Sequence, residues 1–195
     1  TSGVYELTQS SPSVITGDTS GNVVEDGSSI AGTLTATDPE GLATAPFSIA
    51  TQPANGSASI TGGAWVYTAY PNFAGTDTFT VAVRDSNDDE TYAVITVEVS
   101  PINDAPTAVD VFAATPKSTA QSAQSVQVVF EGADIDFDAL TYVVSSTPAH
   151  GTVSAVSGQG VIYTPDTGFS GSDSFTYYVS DNSERSADRT AHITV

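Results

Sequence analysis

The chain contains no cysteine and no methionine. Disulfides, thiol catalysis, cysteine zinc sites and iron–sulfur clusters are therefore excluded. Secreted modules of animals often depend on disulfides, whereas bacterial ones commonly fold without them. Basic residues are almost as scarce: 4 Lys+Arg stand against 23 Asp+Glu, for a formal charge of −19. Lys117 is the only lysine, so lysine-based crosslinks have a single possible donor. Nucleic-acid binding needs clustered Lys and Arg to neutralise phosphates, and anionic membrane surfaces need the same, so the first partner is nearly excluded and the second disfavoured. There is no apolar run long enough to cross a bilayer. The chain begins at Thr1 with no recognisable leader and reads as a piece of a longer protein.

What is present suits folding. Apolar residues make up 39%, with 8 Phe, 8 Tyr and 1 Trp, enough to build cores, while 16 Gly and 10 Pro imply many turns. So much negative charge repels itself unless cations gather on it, so divalent metal or high salt is an expected partner.

The strongest signal is an internal repeat. The stretch from Tyr67 to Thr80 returns as Tyr163 to Thr176, a shift of 96 residues that also carries Asp38 onto Asp134, Val83 onto Val179 and Asp85 onto Asp181. Two homologous domains, residues 1–102 and 103–195, are expected. Between them, Pro101 and Pro106 bracket Ile102-Asn103-Asp104-Ala105. Prolines so spaced cannot lie in a central strand, and the linker should be extended and stiff.

Within each copy the apolar period is two. Phe79, Val81 and Val83 alternate with Thr80, Ala82 and Arg84, and Ile95, Val97 and Val99 alternate with Val94, Thr96 and Glu98. Val and Thr dominate, turn clusters punctuate at short intervals, and no amphipathic helix is evident. The expected fold is all-β: two tandem immunoglobulin-like antiparallel β-sandwiches.

The carboxylates fall in loops. Asp134-Ile135-Asp136-Phe137-Asp138 follows the probable strand from Val126, Asp181-Asn182 follows Phe175–Val179, and Asn103-Asp104 sits in the linker. If these loops meet at one end of a sandwich, several carboxylates share one place and need a cation. Calcium suits such a set, taking six to eight oxygens in flexible geometry. The plain alternative is that each Asp is a solvated turn residue.

Several of these segments resemble a known family. Val24-Glu25-Asp26-Gly27 and Gly32 through Gly41 are similar to the opening of a VCBS or cadherin-like bacterial repeat. Tyr163-Thr164-Pro165 through Tyr177, with Val179-Ser180-Asp181, is similar to the second half of one, and Pro101-Ile102-Asn103-Asp104-Ala105-Pro106 resembles a cadherin linker. The resemblance implies a calcium junction: Asn103 and Asp104 as linker ligands, Asp134 and Asp136 as the Asp-x-Asp pair, and Asp181 from the same end. Glu25, and more loosely Asp77, would come from the first domain, with Asp138 close by. An upstream site on Asp38, Glu40 and Asp85 should be weaker, because Gln9-Ser10-Ser11-Pro12 replaces the acidic linker. In the second domain Gln121-Ser122 replaces Glu25-Asp26, which puts a downstream site in doubt. The family occurs mainly in long secreted bacterial proteins, notably RTX-type adhesins of biofilms, and in some polysaccharide-active enzymes. The implied role is a calcium-stiffened extender at the bacterial cell surface, monomeric, whose partners are neighbouring repeats of its own chain. The alternative is a module binding carbohydrate or a surface protein.

Nothing selects a catalytic set, so an enzyme is not expected. His150 reads as a turn residue and His192 as a solvent-facing strand residue. Trp65 and Tyr67 share a strand face, and Tyr67 recurs as Tyr163, so a core role is expected for them. Tyr70 and Tyr92 are freer to stack on a ligand.

Overall fold

The computed structural model describes residues 11–119 and 124–195. Gln9, Ser10, Gln121 and Ser122 lie outside the described residues. The chain divides into two units, Thr1–Ile102 and Asn103–Val195. Each has its own buried apolar cluster. The described residues contain strands and no helix, so none is long and apolar enough to cross a membrane.

Unit 1 contains β1 (Val14–Gly17), β2 (Ser20–Val24), β3 (Ser29–Thr37), β4 (Leu42–Thr51), β5 (Gly56–Thr61), β6 (Ala64–Ala69), β7 (Gly75–Asp85) and β8 (Glu90–Ser100). They form two sheets, ordered β1-β3-β6-β5 and β2-β8-β7-β4. All pairs are antiparallel except β2 with β8, which is parallel. Unit 2 contains β9 (Thr107–Ala108), β10 (Val111–Ala114), β11 (Val126–Val129), β12 (Gly132–Ala133), β13 (Thr141–Val144), β14 (Gly151–Val153), β15 (Gly160–Pro165), β16 (Ser172–Ser180) and β17 (Arg189–Thr194). Its main sheets are β10-β17-β16-β13 and β11-β15-β14, with a short β12-β9 pair. The β10–β17 pair is again the parallel one.

The alternation read from the sequence places Phe79, Val81 and Val83 inside unit 1 and Phe175, Tyr177 and Val179 inside unit 2. The two cores are repeats with exchanged bulk. In unit 1 Gly32 lies opposite Trp65 across the β3–β6 pair, whereas the corresponding pair in unit 2 is Val128 opposite Val161. A Cβ on Gly32 would fall inside the Trp65 indole. The glycine therefore makes room for the largest side chain of the core, and two valines fill the same volume in unit 2. Trp65 is fully buried, donates Nε1–H to the Asp18 carbonyl at 2.8 Å, and meets Phe79 edge-on at 5.7 Å. The expected core role of Trp65 is what the structure shows.

Trp65 is the single tryptophan, so its fluorescence reports unit 1 alone. Gly32→Ala is expected to destabilise unit 1 by about 1–3 kcal/mol through overpacking. Denaturation followed by Trp65 emission should shift to lower denaturant, while NMR amide signals of unit 2 hold their midpoint. An unchanged Trp65 transition would mean that the glycine is not there for the indole.

Candidate metal centre

In unit 2 the five-residue segment after β12 turns Asp134 and Asp136 inward and its apolar residues outward. Asp134 Oδ1 accepts the N–H groups of Asp136 at 2.9 Å and Asp138 at 3.3 Å, closing the segment on itself. Ile135 and Phe137 are exposed, Phe137 to 94%. Phe137 also adopts φ 63°, where the repeat equivalent in unit 1 is Gly41 at φ 99°. A bulky L-residue in the left-handed region costs about 1–2 kcal/mol, so this loop holds strain that its unit 1 counterpart avoids.

Linker residues are stitched to that segment. The Asp104 N–H donates to Asp136 Oδ2 at 2.7 Å. The Asn103 side-chain amide donates to Asp181 Oδ2 at 2.9 Å and to the Asp104 carbonyl at 3.3 Å. Asp181 is buried at the end of β16. Its Oδ1 accepts the N–H groups of Ser183 and Glu184, both at 2.6 Å. The Glu184 N–H first, and then the Asn103 amide, hold the Asp181 carboxyl below the usual carboxylate range, outweighing the opposing effect of burial. The three loops singled out in the sequence thus meet in unit 2, with Asn103, Asp104, Asp134, Asp136 and Asp181 in one hydrogen-bonded chain. Asp138 is exposed at its edge.

These acids are joined through N–H donors. Among the described residues, no three His, Cys, Asp or Glu side chains stand close enough to enclose an ion. One atom tests whether a cation would fit. Asp134 Oδ2 is buried and has no hydrogen-bond donor. A charged oxygen in that state is costly unless a cation meets it. The donor set around it is all oxygen and amide, which is calcium chemistry rather than that of a thiolate- or imidazole-seeking metal.

The repeat places Asp38, Glu40 and Asp85 at the matching end of unit 1. There Asp38 Oδ1 accepts the Glu40 N–H at 2.8 Å, and Oδ2 accepts the Ser13 hydroxyl at 3.0 Å. Asp85 is buried and its Oδ1 accepts the N–H groups of Asn87 and Asp89. Both Asp38 oxygens have donors, unlike those of Asp134.

Glu25 and Asp77 belong to unit 1, and each has a local task. Glu25 is buried, and its Oε1 accepts the Ile102 N–H at 2.7 Å, fixing the chain where it leaves β8. Asp77 is held inside its own unit, where its carboxylate accepts from four donors. These are the N–H groups of Ala54 (3.1 Å), Asn55 (2.9 Å) and Thr78 (2.9 Å), and the Tyr67 hydroxyl (3.0 Å). Asp173 does the same in unit 2 with Ala149, His150, Ser174 and Tyr163. Sequence reasoning offered Asp77 as a looser candidate for the metal and did not include this latch. The signal was available, since Tyr67 with Asp77 and Tyr163 with Asp173 recur at one spacing.

His150 is exposed and stacks on Phe169 at 4.4 Å. Tyr70 and Tyr92 are both more than half exposed, and the Tyr92 hydroxyl donates to Glu90 at 2.7 Å.

Comparison with known proteins agrees with this architecture. The bacterial Ig domain family matches residues 10–98 and again 103–194. No curated protein matches the chain by sequence. Among solved structures, human mucin-like protocadherin EC1-2 is similar over 93% of this chain and 98% of that one, with 16% identity and a TM-score of 0.54. Protocadherin gamma B7 domains 1-4 are similar over 94% of this chain and 49% of that one, with 17% identity and a TM-score of 0.56. At these identities the likeness shows the fold. An endo-fucoidan hydrolase of glycoside hydrolase family 107 aligns with 95% of this chain at 23% identity and a TM-score of 0.34. The chain spans only 35% of that enzyme's length.

Proposed function

Since this chain belongs to the bacterial Ig domain family, in two tandem copies, we propose that it is a calcium-stiffened extender of a large secreted bacterial adhesin. In this reading it is a non-catalytic spacer at the cell surface that carries other domains outward, in the manner of VCBS repeats of RTX-type proteins.

The observation that carries the reading is the linker in unit 2. Asn103 and Asp104 are tied to Asp181 and Asp136 beside the donorless, buried Asp134 Oδ2. Calcium would be held by Asp104, Asp134, Asp136 and Asp181, with the Asn103 side-chain oxygen and the nearby Asp138 as further donors. It would supply the positive charge that this group of carboxylates lacks, in a chain whose cations number four.

Stiffening follows from connectivity. Glu25 fixes Ile102 on one side. An ion would fix Asn103 and Asp104 on the other, and Pro101 has a locked φ of its own. Few free torsions then remain between the units. Without the ion, the carboxylates around residues 103 and 104 repel one another and the tie loosens.

Small-angle scattering of the 195-residue chain, in millimolar calcium and in chelator, tests the reading. Calcium is expected to narrow the spread of distances between the two units without changing the strand content seen by circular dichroism. A spread indifferent to calcium would remove the stiffening, and with it the extender.

A further inference from the structure

The outer face of the β10-β17-β16-β13 sheet carries two rings that the fold does not require. Phe112 on β10 and His192 on β17 are partners in the parallel pair. Their rings stack with centroids 4.8 Å apart and planes within 13°. Phe112 is 78% exposed, far more than a core aromatic. Unit 1 provides the control. Its own parallel pair, β2 with β8, sets Ser20 beside Thr96 at the equivalent place. The same sheet is therefore built with two hydroxyl residues in one copy and two rings in the other.

The rings are also held in position. Asp110 Oδ1 accepts the Thr190 N–H at 2.9 Å, which anchors the carboxylate to the neighbouring strand. Its Oδ2 lies 3.8 Å from His192 Nε2. The imidazole supports the phenyl ring, with the anchored carboxylate beside it but beyond hydrogen-bond distance. Ordering that a lone surface phenylalanine would undergo on binding has already taken place in folding. Ser174, opposite His192 on β16, adds a hydroxyl beside the rings.

We propose that Phe112, His192 and Asp110 form a platform for an uncharged sugar ring of a glycan. A pyranose has an apolar C–H face that stacks on an aromatic ring, and a rim of hydroxyls that pair with a carboxylate and a serine. Charge selects among glycans. The chain carries −19 overall, and Asp110 stands at the platform itself, so sulfated and uronic chains are repelled. Arg189 does not reverse this, because three residues from His192 on β17 it leaves the opposite face of the strand, where its Nε–H donates to the Ala108 carbonyl at 2.9 Å. The site involves none of the acids proposed to bind calcium, so its success or failure is separate from that of the extender.

The test is amide-resolved NMR of the whole chain titrated with laminarihexaose, cellohexaose and mannohexaose, with oligogalacturonate as the acidic control. At least one neutral hexaose is expected to shift the Phe112, His192 and Ser174 amides at millimolar concentration, equally in calcium and in chelator. Phe112→Ala should weaken that binding about tenfold or more, since it removes the stacking surface. It should leave the rest of the spectrum in place, because the side chain is exposed. His192→Ala should weaken binding less, by loosening the support. The proposal is overturned if no neutral hexaose shifts these strands, if Phe112→Ala leaves the shifts intact, or if oligogalacturonate binds more tightly than the neutral sugars.

Discussion

Asp77→Ala is expected to destabilise unit 1 by about 3–5 kcal/mol, the largest effect of any single substitution considered for this chain. The carboxylate is buried and serves four donors: three backbone N–H groups and the Tyr67 hydroxyl. Removing it leaves those donors inside the fold with nothing to meet them. Tyr67→Phe removes one hydrogen bond and should cost only about 1–2 kcal/mol. Trp65 emission during urea unfolding measures both. Asp173→Ala should act equally on unit 2, where the Tyr163 hydroxyl and three N–H groups converge. A loss under about 1 kcal/mol from Asp77→Ala would show that the latch does not hold the fold. Loss of the calcium response in that variant would return Asp77 to the metal set.

The same latch gives unit 2 two pH limits. Burial by itself raises the Asp173 carboxyl. Hydrogen bonds from Tyr163 and from the N–H groups of His150, Ala149 and Ser174 outweigh it and leave the group below its ordinary value. Its contribution is therefore full above the unfolded value of about 3.9 and is lost as pH falls through the lowered native value. Tyr163 moves the other way: burial, then the bond to Asp173, holds its hydroxyl well above the ordinary tyrosine value. That contribution is full below about pH 10 and is lost as pH rises from there through the raised native value.

Calcium is the second large lever. Extracellular calcium modules have dissociation constants of about 0.1–1 mM, so about 10 mM calcium should stabilise the bound form by about 1.4–2.7 kcal/mol. For a unit of this size that is about 5–20 °C in Tm. Differential scanning calorimetry should show the rise in calcium and its reversal by chelator. Asp134→Ala and Asp104→Ala should remove most of it. Asp38→Ala should remove less, because both Asp38 oxygens already have donors from Ser13 and Glu40. Melting indifferent to calcium and chelator would defeat the metal proposal. Equal losses from the three variants would defeat the asymmetry between the two ends.

Much of this was legible in one dimension because the relevant physics is local. Alternation of period two picks out Phe79, Val81 and Val83 as the side chains the pleated strand sends into the core, although Ala82 between them is buried as well. A shift of 96 residues that preserves Tyr, Phe and Asp positions declares two copies before any strand is paired. Short-range spacing also shows that Asp134, Asp136 and Asp138 share a loop that caps itself.

What only the tertiary structure decided were the partners of buried polar and aromatic groups, which depend on contacts between residues far apart in sequence. Asp77, near the start of a strand, and Asp134, at the start of a turn, look alike as letters. One is filled by donors arriving from a different loop and from β6, and the other keeps a buried oxygen without a donor. Glu25, expected as a ligand, has a further task as the acceptor for Ile102, 77 residues away. The Phe112–His192 stack joins two strands 80 residues apart, through a parallel pairing that no local pattern predicts. Sequence determined which residues face inward and how often the unit repeats, because strand geometry imposes that residue by residue. Folding decided which carboxylates are satisfied, because a hydrogen bond needs its donor brought to within about 3 Å, and only the packed sheets do that.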